Sequence, residues 1–480
     1  MLLKRFYDDG LAQASYLIGC QRTATALVVD ANRDVEQYIA AAEAEGLRIA
    51  HVTETHIHAD FVSGSRELAQ RTGATLYLSD EGGPDWRYRF AAASGAMLLK
   101  HQATIAVGNV LLTALHTPGH TPEHLAFLVV DRATAPAPLG LLSGDFVFVG
   151  DVGRPDLLER AAHVSGTMEA SARQLFQSLK QLTGMPDHLQ IWPGHGAGSA
   201  CGKSLGAMPQ STLGYERLAN WAFHIADETA FVHAVLEGQP EPPAYFGEMK
   251  RINRDGPRIL GGWHRPQRIA AARMGELLAS GALLVDTRPA ADYAAAHIPG
   301  TINIPLNRAF TTWAGWLVPY TRDFYLLIDH ARADALDQAV RDLAMIGLDR
   351  VGGYIDCDED TLQAWQVGGG TIGTIPQITA QWLAERLRAG GLSVIDVRAQ
   401  SEWDEGHLPG ACLIPLGSLP QRFAELPAGP LVVQCQSGSR SAIAASLLDA
   451  RGRGDVWNLE GGFPAWQQAG YPVETTDPAP

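Results

Sequence analysis

The chain has 480 residues, which predicts about three domains, and its 46% hydrophobic and 19% charged content is that of an ordinary globular protein. A formal charge of −15 with a pI near 5.5 argues against nucleic acid or an anionic membrane as the main partner. No run of 18 apolar residues occurs, so no membrane span is expected.

The first ten residues set Asp8 and Asp9 behind Lys4 and Arg5 without an apolar run between them, which predicts no secretory leader. The five cysteines (Cys20, Cys201, Cys357, Cys412, Cys435) contain no Cys-x-x-Cys pair. That pattern predicts a reducing, cytoplasmic setting rather than a disulfide framework.

Apolar segments Ala14–Ile18 and Ala24–Val29 predict strands, the second ending at Asp30, and a helix follows over Val35–Ala44, closed by Gly46. A short strand over Leu47–Val52 then runs into Thr55-His56-Ile57-His58-Ala59-Asp60-Phe61, and a helix begins near Ser65. Two imidazoles and a carboxylate at alternate positions on a strand-to-helix turn can face one point. That donor mixture suits iron, zinc or manganese better than calcium or magnesium.

Further strands are expected at Thr75–Leu78, Val110–Leu115, Leu125–Val130 and Gly140–Ser143, which with the helices indicate a layered α/β domain. Their ends carry polar groups punctuated by Gly and Pro: Pro118-Gly119-His120-Thr121, Ser143-Gly144-Asp145 and, after Gln190–Trp192, Pro193-Gly194-His195. A single histidine is more often a surface or core residue than a ligand. Recurrence at four strand-to-loop junctions reverses that expectation.

The ordered set H-x-H-x-D, P-G-H-T, S-G-D, P-G-H resembles the metallo-β-lactamase superfamily over residues 1 to about 240. The fold implied is an αββα sandwich, in a domain placed at 1–250. Two-metal members read H-x-H-x-D-H, whereas Phe61 stands at the last position here, which makes a second zinc improbable. The remainder is similar to the persulfide dioxygenase branch. That resemblance implies one Fe(II) held by His56, His120 and Asp145, with O₂ as co-substrate and a thiol persulfide as substrate. His58, Asp60 and His195 would orient ligands or water, and Arg154, in Asp151–Asp156, would lie near the metal and bind substrate unless that segment is a surface turn. Cys201, in the Gly-rich loop after His195, is either a persulfide-holding thiol favoured by Lys203 or a small buried residue.

Residues Pro209–Gly238 are expected to be helical, with Leu213, Leu218, Trp221, Phe223, Phe231 and Val235 as core, and Gln239–Pro243 marks a domain edge, with a linker extending to about Pro266. Behind it, two segments share one order of signals. Asp286-Thr287-Arg288, His297-Ile298-Pro299-Gly300 and Ile302–Leu306 are matched by Asp396-Val397-Arg398, His407-Leu408-Pro409-Gly410 and Leu413–Leu416. This is the signature of the rhodanese fold, and it places two α/β domains at 266–370 and 376–476.

Only the second carries the chemistry. Its strand Leu431–Gln434 runs into Cys435-Gln436-Ser437-Gly438-Ser439-Arg440 and then a helix. Backbone N–H groups at a helix start stabilise an anion, Arg440 adds positive charge, and Gln436 to Ser439 would line the substrate site. Cys435 is therefore the expected sulfur-carrying nucleophile. In the first repeat Asp329 stands where the cysteine would be, so that repeat is expected to be an inactive spacer or docking module.

The whole arrangement is similar to a persulfide dioxygenase fused to an inactive and an active rhodanese. It implies conversion of a persulfide to sulfite or thiosulfate, and a homo-oligomer. The rival reading is a zinc thioester hydrolase of the glyoxalase II type.

Overall fold

The computed structural model describes residues 1–160, 166–203, 205–239 and 241–476. They form two compact units, Met1–His264 together with Ala344–Gly347, and the rest of the described chain from Arg265 onward. Pro240, inside the expected boundary run Gln239–Pro243, lies outside the described residues.

The first unit contains two six-stranded sheets. Leu2–Asp8, Gln13–Cys20, Thr25–Val29, Arg48–Thr53, Thr75–Ser79 and Met97–Leu99 lie side by side in chain order. Thr104–Val107, Val110–His116, Leu125–Asp131, Gly140–Gly144, Gln190–Pro193 and Ser211–Thr212 form the other sheet, also in chain order. Alternate residues explain the stacking: Tyr16, Ile18, Leu27 and Val29 of the first sheet bury against Leu112, Leu125 and Phe127 of the second. The other face of the first sheet, with Leu17, Ala26 and Val28, packs on Tyr38 and Leu68 of the helices Glu36–Ala44 and Ser65–Thr72. The result is the αββα sandwich.

The strand Leu2–Asp8 was not legible, because its half-buried positions mix Lys4, Arg5 and Asp8 with apolar residues. The expected helical run after Pro209 is corrected. It consists of a short strand Ser211–Thr212, a helix Leu213–Ala219, a 3₁₀ turn Trp221–Phe223 and a helix Glu228–Leu236. The Asn220 side chain accepts the Ala222 N–H and restarts the helix, so the apolar phase breaks there. Leu213, Phe231 and Val235 are buried, whereas Leu218 is 78% exposed. Chain beyond residue 250 is no loose linker either: Leu260 and Gly261 donate their N–H groups to Glu67, and Asn253 is fully buried.

The second unit holds two parallel sheets. One has the order Ile302–Asn303, Leu283–Asp286, Phe324–Ile328, Val351–Asp356, and the other Gln377–Ile378, Val456–Leu459, Leu431–Gln434, Ser393–Asp396, Cys412–Leu413. The repeat extends to side chains. Arg288 grips Asp286 and Arg398 grips Asp396, each with its Nη2 at 2.7 Å from Oδ2. His297 stacks on Tyr293 and His407 on Trp403, each with Nδ1 on the carbonyl of the residue it covers. These groups hold turns together.

Candidate metal centre and sulfur-carrying loop

Parallel pairing of Thr25–Val29 with Arg48–Thr53 brings Asp30 beside the His56 turn. Asp30, at a left-handed φ of 55°, accepts the Thr55 N–H at 2.7 Å and the Thr55 hydroxyl at 3.0 Å. Since that hydroxyl donates to Asp30, its oxygen accepts a hydrogen bond from His56 Nδ1–H at 2.9 Å. His120 Nδ1 donates to the Arg154 carbonyl at 3.1 Å, and His195 Nδ1 to the Ala12 carbonyl at 3.0 Å. All three rings therefore carry their proton on Nδ1 and offer the Nε2 lone pair, which is how a protein fixes a metal-binding tautomer.

The ligand atoms of His56, His120 and Asp145 lie within 4.8 Å of one another, and all three residues are buried. Asp145 Oδ2 is 3.4 Å from His120 Nε2 and 3.9 Å from His56 Nε2. Burial and the neighbouring imidazoles hold His56 well below its ordinary pKa, and burial followed by His195 lowers His120 to about 3. Neutral imidazole is the form that binds a metal. His56 Nε2 and both Asp145 oxygens are buried without a hydrogen-bond partner. Leaving such groups unsatisfied costs about 1–3 kcal/mol each, and a cation between the two rings and Asp145 Oδ2 would satisfy His56 Nε2 and that oxygen, while Oδ1 faces His195. The donor set fits a metal ion.

A second group, Asp60, His195 and Cys201, is equally tight and equally buried. His195 Nε2 is 3.2 Å from Asp60 and 3.5 Å from Asp145, so Asp145 stands between the two groups. Asp60, His195 and Cys201 thus offer ligand atoms of their own, beyond the orienting part the sequence suggests for Asp60 and His195. Lys203 does not serve Cys201, because its ammonium donates to the Glu237 carbonyl. Burial and the Asp60 and Asp145 carboxylates push the Cys201 thiol well up.

His58 faces the other way, with Nε2 at 3.1 Å from Asp30. Burial pulls its pKa down, but Asp30 overrides this and raises it to about 9. Phe61 is fully buried with its ring centroid 4.4 Å from that of His58, and Asn253 clasps the turn through the His58 and Phe61 carbonyls. Arg154 is buried with its guanidinium committed to Asp156 and the Ala200 carbonyl. What it gives the site is the carbonyl under His120, a correction to the expected substrate contact and to the alternative of a surface turn.

Sequence reasoning missed Asp30, Thr55, Asn253, Tyr245 and His124. His124 Nε2 accepts the Asp145 N–H at 3.1 Å, its ring stacked on His56. Tyr245 lies close enough to Asp60 and Cys201 that, after burial, their charges push its phenol up.

In the second unit, Cys435 ends the strand Leu431–Gln434 and is fully buried. Its sulfur accepts the Gly438 N–H at 3.2 Å and the Ser441 hydroxyl at 3.4 Å, a contact the sequence did not disclose. Gly438 has φ 93°, which favours glycine. Gln436, Ser437 and Ser439 form the exposed rim. Arg440 is held by both oxygens of Glu402 at 2.6 Å, so its charge is shared with a carboxylate.

Burial acts upward on Glu402, but the Arg440 hydrogen bond, the Ala399 N–H and the charges of Arg440 and Arg398 together outweigh it and lower the carboxyl's pKa. The pair's stabilisation is therefore complete above the unfolded value near 4.5 and is lost as pH falls through the lower folded value. Glu402→Gln is expected to cost about 1–2 kcal/mol at pH 7 and much less at pH 3. Urea midpoints at the two pH values check this.

Residues 8–195 match the metallo-beta-lactamase superfamily, and residues 270–345 and 379–469 match the rhodanese-like domain. A crystal structure of a metallo-beta-lactamase from Staphylococcus aureus subsp. aureus COL is 43% identical, covering 74% of this chain and 98% of that one with a TM-score of 0.66. A sulfurtransferase from Allochromatium vinosum is 34% identical over 21% of this chain and 94% of its own length. A hydroxyacylglutathione hydrolase from Rhodospirillum rubrum is 27% identical over 38% of this chain, and the match spans 60% of that relative's length. Among the described residues no helix is long and apolar enough to cross a membrane. The chain belongs to the metallo-beta-lactamase superfamily through its first domain and carries two rhodanese-like domains behind it.

Proposed function

We propose that the first domain is an Fe(II)-dependent persulfide dioxygenase and that Cys435 exchanges sulfane sulfur with the same pool of small thiols. The observation that carries this reading is the buried face of His56, His120 and Asp145, with Phe61 at the position where two-metal relatives carry a further ligand. Two histidines and one carboxylate with open positions is the donor set of non-haem Fe(II) oxygenases. Iron(II) there would supply positions for the substrate sulfur and for dioxygen, together with the electrons that activate it. The overall change is persulfide, dioxygen and water to thiol, sulfite and two protons.

The chain's own residues do the rest. Thr55 and the Arg154 carbonyl fix the two ligand rings, and Asp30 holds Thr55. His58, paired with Asp30, braces the turn that carries His56. Phe61 and Phe148 line the surroundings with apolar surface that limits water. At the other site, the Cys435 thiolate would take sulfur from thiosulfate, releasing sulfite, with Gly438 N–H and the Ser441 hydroxyl holding the charge.

The Asp60, His195 and Cys201 group favours a second reading, a two-zinc thioester hydrolase, and the similarity to hydroxyacylglutathione hydrolase supports it. Metal content and O₂ uptake on one sample decide. We expect about one iron per chain and uptake with glutathione persulfide that stops on chelation. Two zinc ions and no uptake would move the domain to the hydrolases.

A further inference from the structure

The first rhodanese-like repeat has Asp329 in place of a loop cysteine but holds a cavity there. This space of about 260 Å³ lies over the loop after Phe324–Ile328, the place Cys435 occupies in the second repeat. Leu306 and Trp313 of the first repeat and Ile443 of the second give it apolar walls, and Asp329, Arg332 and Ser439 add polar groups.

Two features make it a built site. The charged groups are fixed: Arg332 donates from Nη1 to the Leu306 carbonyl at 3.1 Å and from Nη2 to Gln338 at 2.7 Å, and Asp329 accepts the Ala331 N–H at 2.9 Å. Each Arg332 terminal nitrogen has a second N–H to give. The far wall is fixed too. Ser439 and Ile443 belong to the helix Ser439–Ala450, whose first turn cradles the Cys435 sulfur. That helix is tied to the first repeat by Ser446, which accepts the Asn303 N–H at 2.9 Å, and by Asp449, 3.0 Å from His297.

We propose that this cavity is the acceptor subsite for sulfur carried on Cys435, and that it selects small zwitterionic thiols of the amino-acid or short-peptide class. The carboxylate faces Arg332, the ammonium faces Asp329, and the thiol reaches past Ser439 toward the sulfur. The volume falls below the roughly 300–1,000 Å³ of ordinary ligand pockets, which favours a short thiol over one with a nucleotide tail. The inference rests on the sulfurtransferase reading of Cys435. In the step itself, the acceptor thiolate attacks the outer sulfur of the Cys435 persulfide. A new S–S bond forms as the old one breaks, the electron pair returns to Cys435 as thiolate, and the outer proton stays on the new persulfide.

The test loads the full-length protein with sulfur from thiosulfate and compares glutathione with uncharged 2-mercaptoethanol as acceptors. In the native protein kcat/KM should favour glutathione. Arg332→Gln should lower the ratio of the two values about five- to tenfold. Ala309→Phe, at the exposed rim of the cavity, should lower it by obstruction without touching a charge. A ratio unchanged in both variants overturns the proposal. Sulfur transfer to cyanide by the native protein, absent in Cys435→Ser, guards the underlying reading: its failure would remove the sulfurtransferase itself, whereas an unchanged ratio with normal cyanide transfer removes only the subsite.

Discussion

Asp145→Asn should strip the first domain of its metal, lowering affinity at least about 100-fold, the upper range seen for losing even an outer partner of a ligand. O₂ uptake with persulfide should fall with it. The reason is position as much as charge: Asp145 is within 3.4–3.9 Å of His120, His195 and His56. An amide there keeps the shape but cannot balance a divalent cation among neutral imidazoles. Both Asp145 oxygens are buried without a hydrogen-bond partner, so the metal-free variant should be no less stable than metal-free native protein. Elemental analysis, oxygen electrode traces and melting curves of the two proteins test the three parts. An Asp145→Asn protein that kept iron and full uptake would sink the assignment of the ligand face.

Cys435→Ser should lower thiosulfate-driven sulfur transfer by about 10³-fold or more, because a hydroxyl is a far weaker nucleophile than a thiolate. The rest of the loop should stay in place. Gly438 and Ser441 can donate to an oxygen as well as to a sulfur, and the Phe463 N–H still reaches the residue 435 carbonyl at 2.8 Å. O₂ uptake with preformed glutathione persulfide should continue in this variant, which separates the two chemistries in one chain. Native transfer rates in Cys435→Ser would mean that sulfur travels on another group.

The ligand face was legible because its members lie on turns that announce themselves. His56 follows a short apolar strand, and His120 and Asp145 sit in Pro-Gly-His and Ser-Gly-Asp turns, where glycine lets the chain approach an ion. The repeat was legible for a similar reason, since Asp-x-Arg and His-x-Pro-Gly keep their spacing in both halves. What escaped depends on pairings between distant segments. Asp30 commands Thr55 and His58 only because its strand pairs with Arg48–Thr53, and Glu402 meets Arg440 across 38 positions. Arg154 shows the opposite error. A conspicuous cation near a site suggests substrate, yet this one is consumed by a carboxylate two residues away. Leu218 fits a helical period that Asn220 interrupts.

The helix Ser439–Ala450 buries Ala442, Ala444, Ala445 and Ser446, and it is hydrogen-bonded to Asn303 of the first repeat. It is therefore a structural member of two domains at once. Gene-level modularity and physical modularity part company here. A cut between the repeats, at the seam the duplication suggests, would pass through a single packed body and leave the nucleophile's own helix with one flank in water. The repeat without a loop cysteine is half of the mounting for the one that has it.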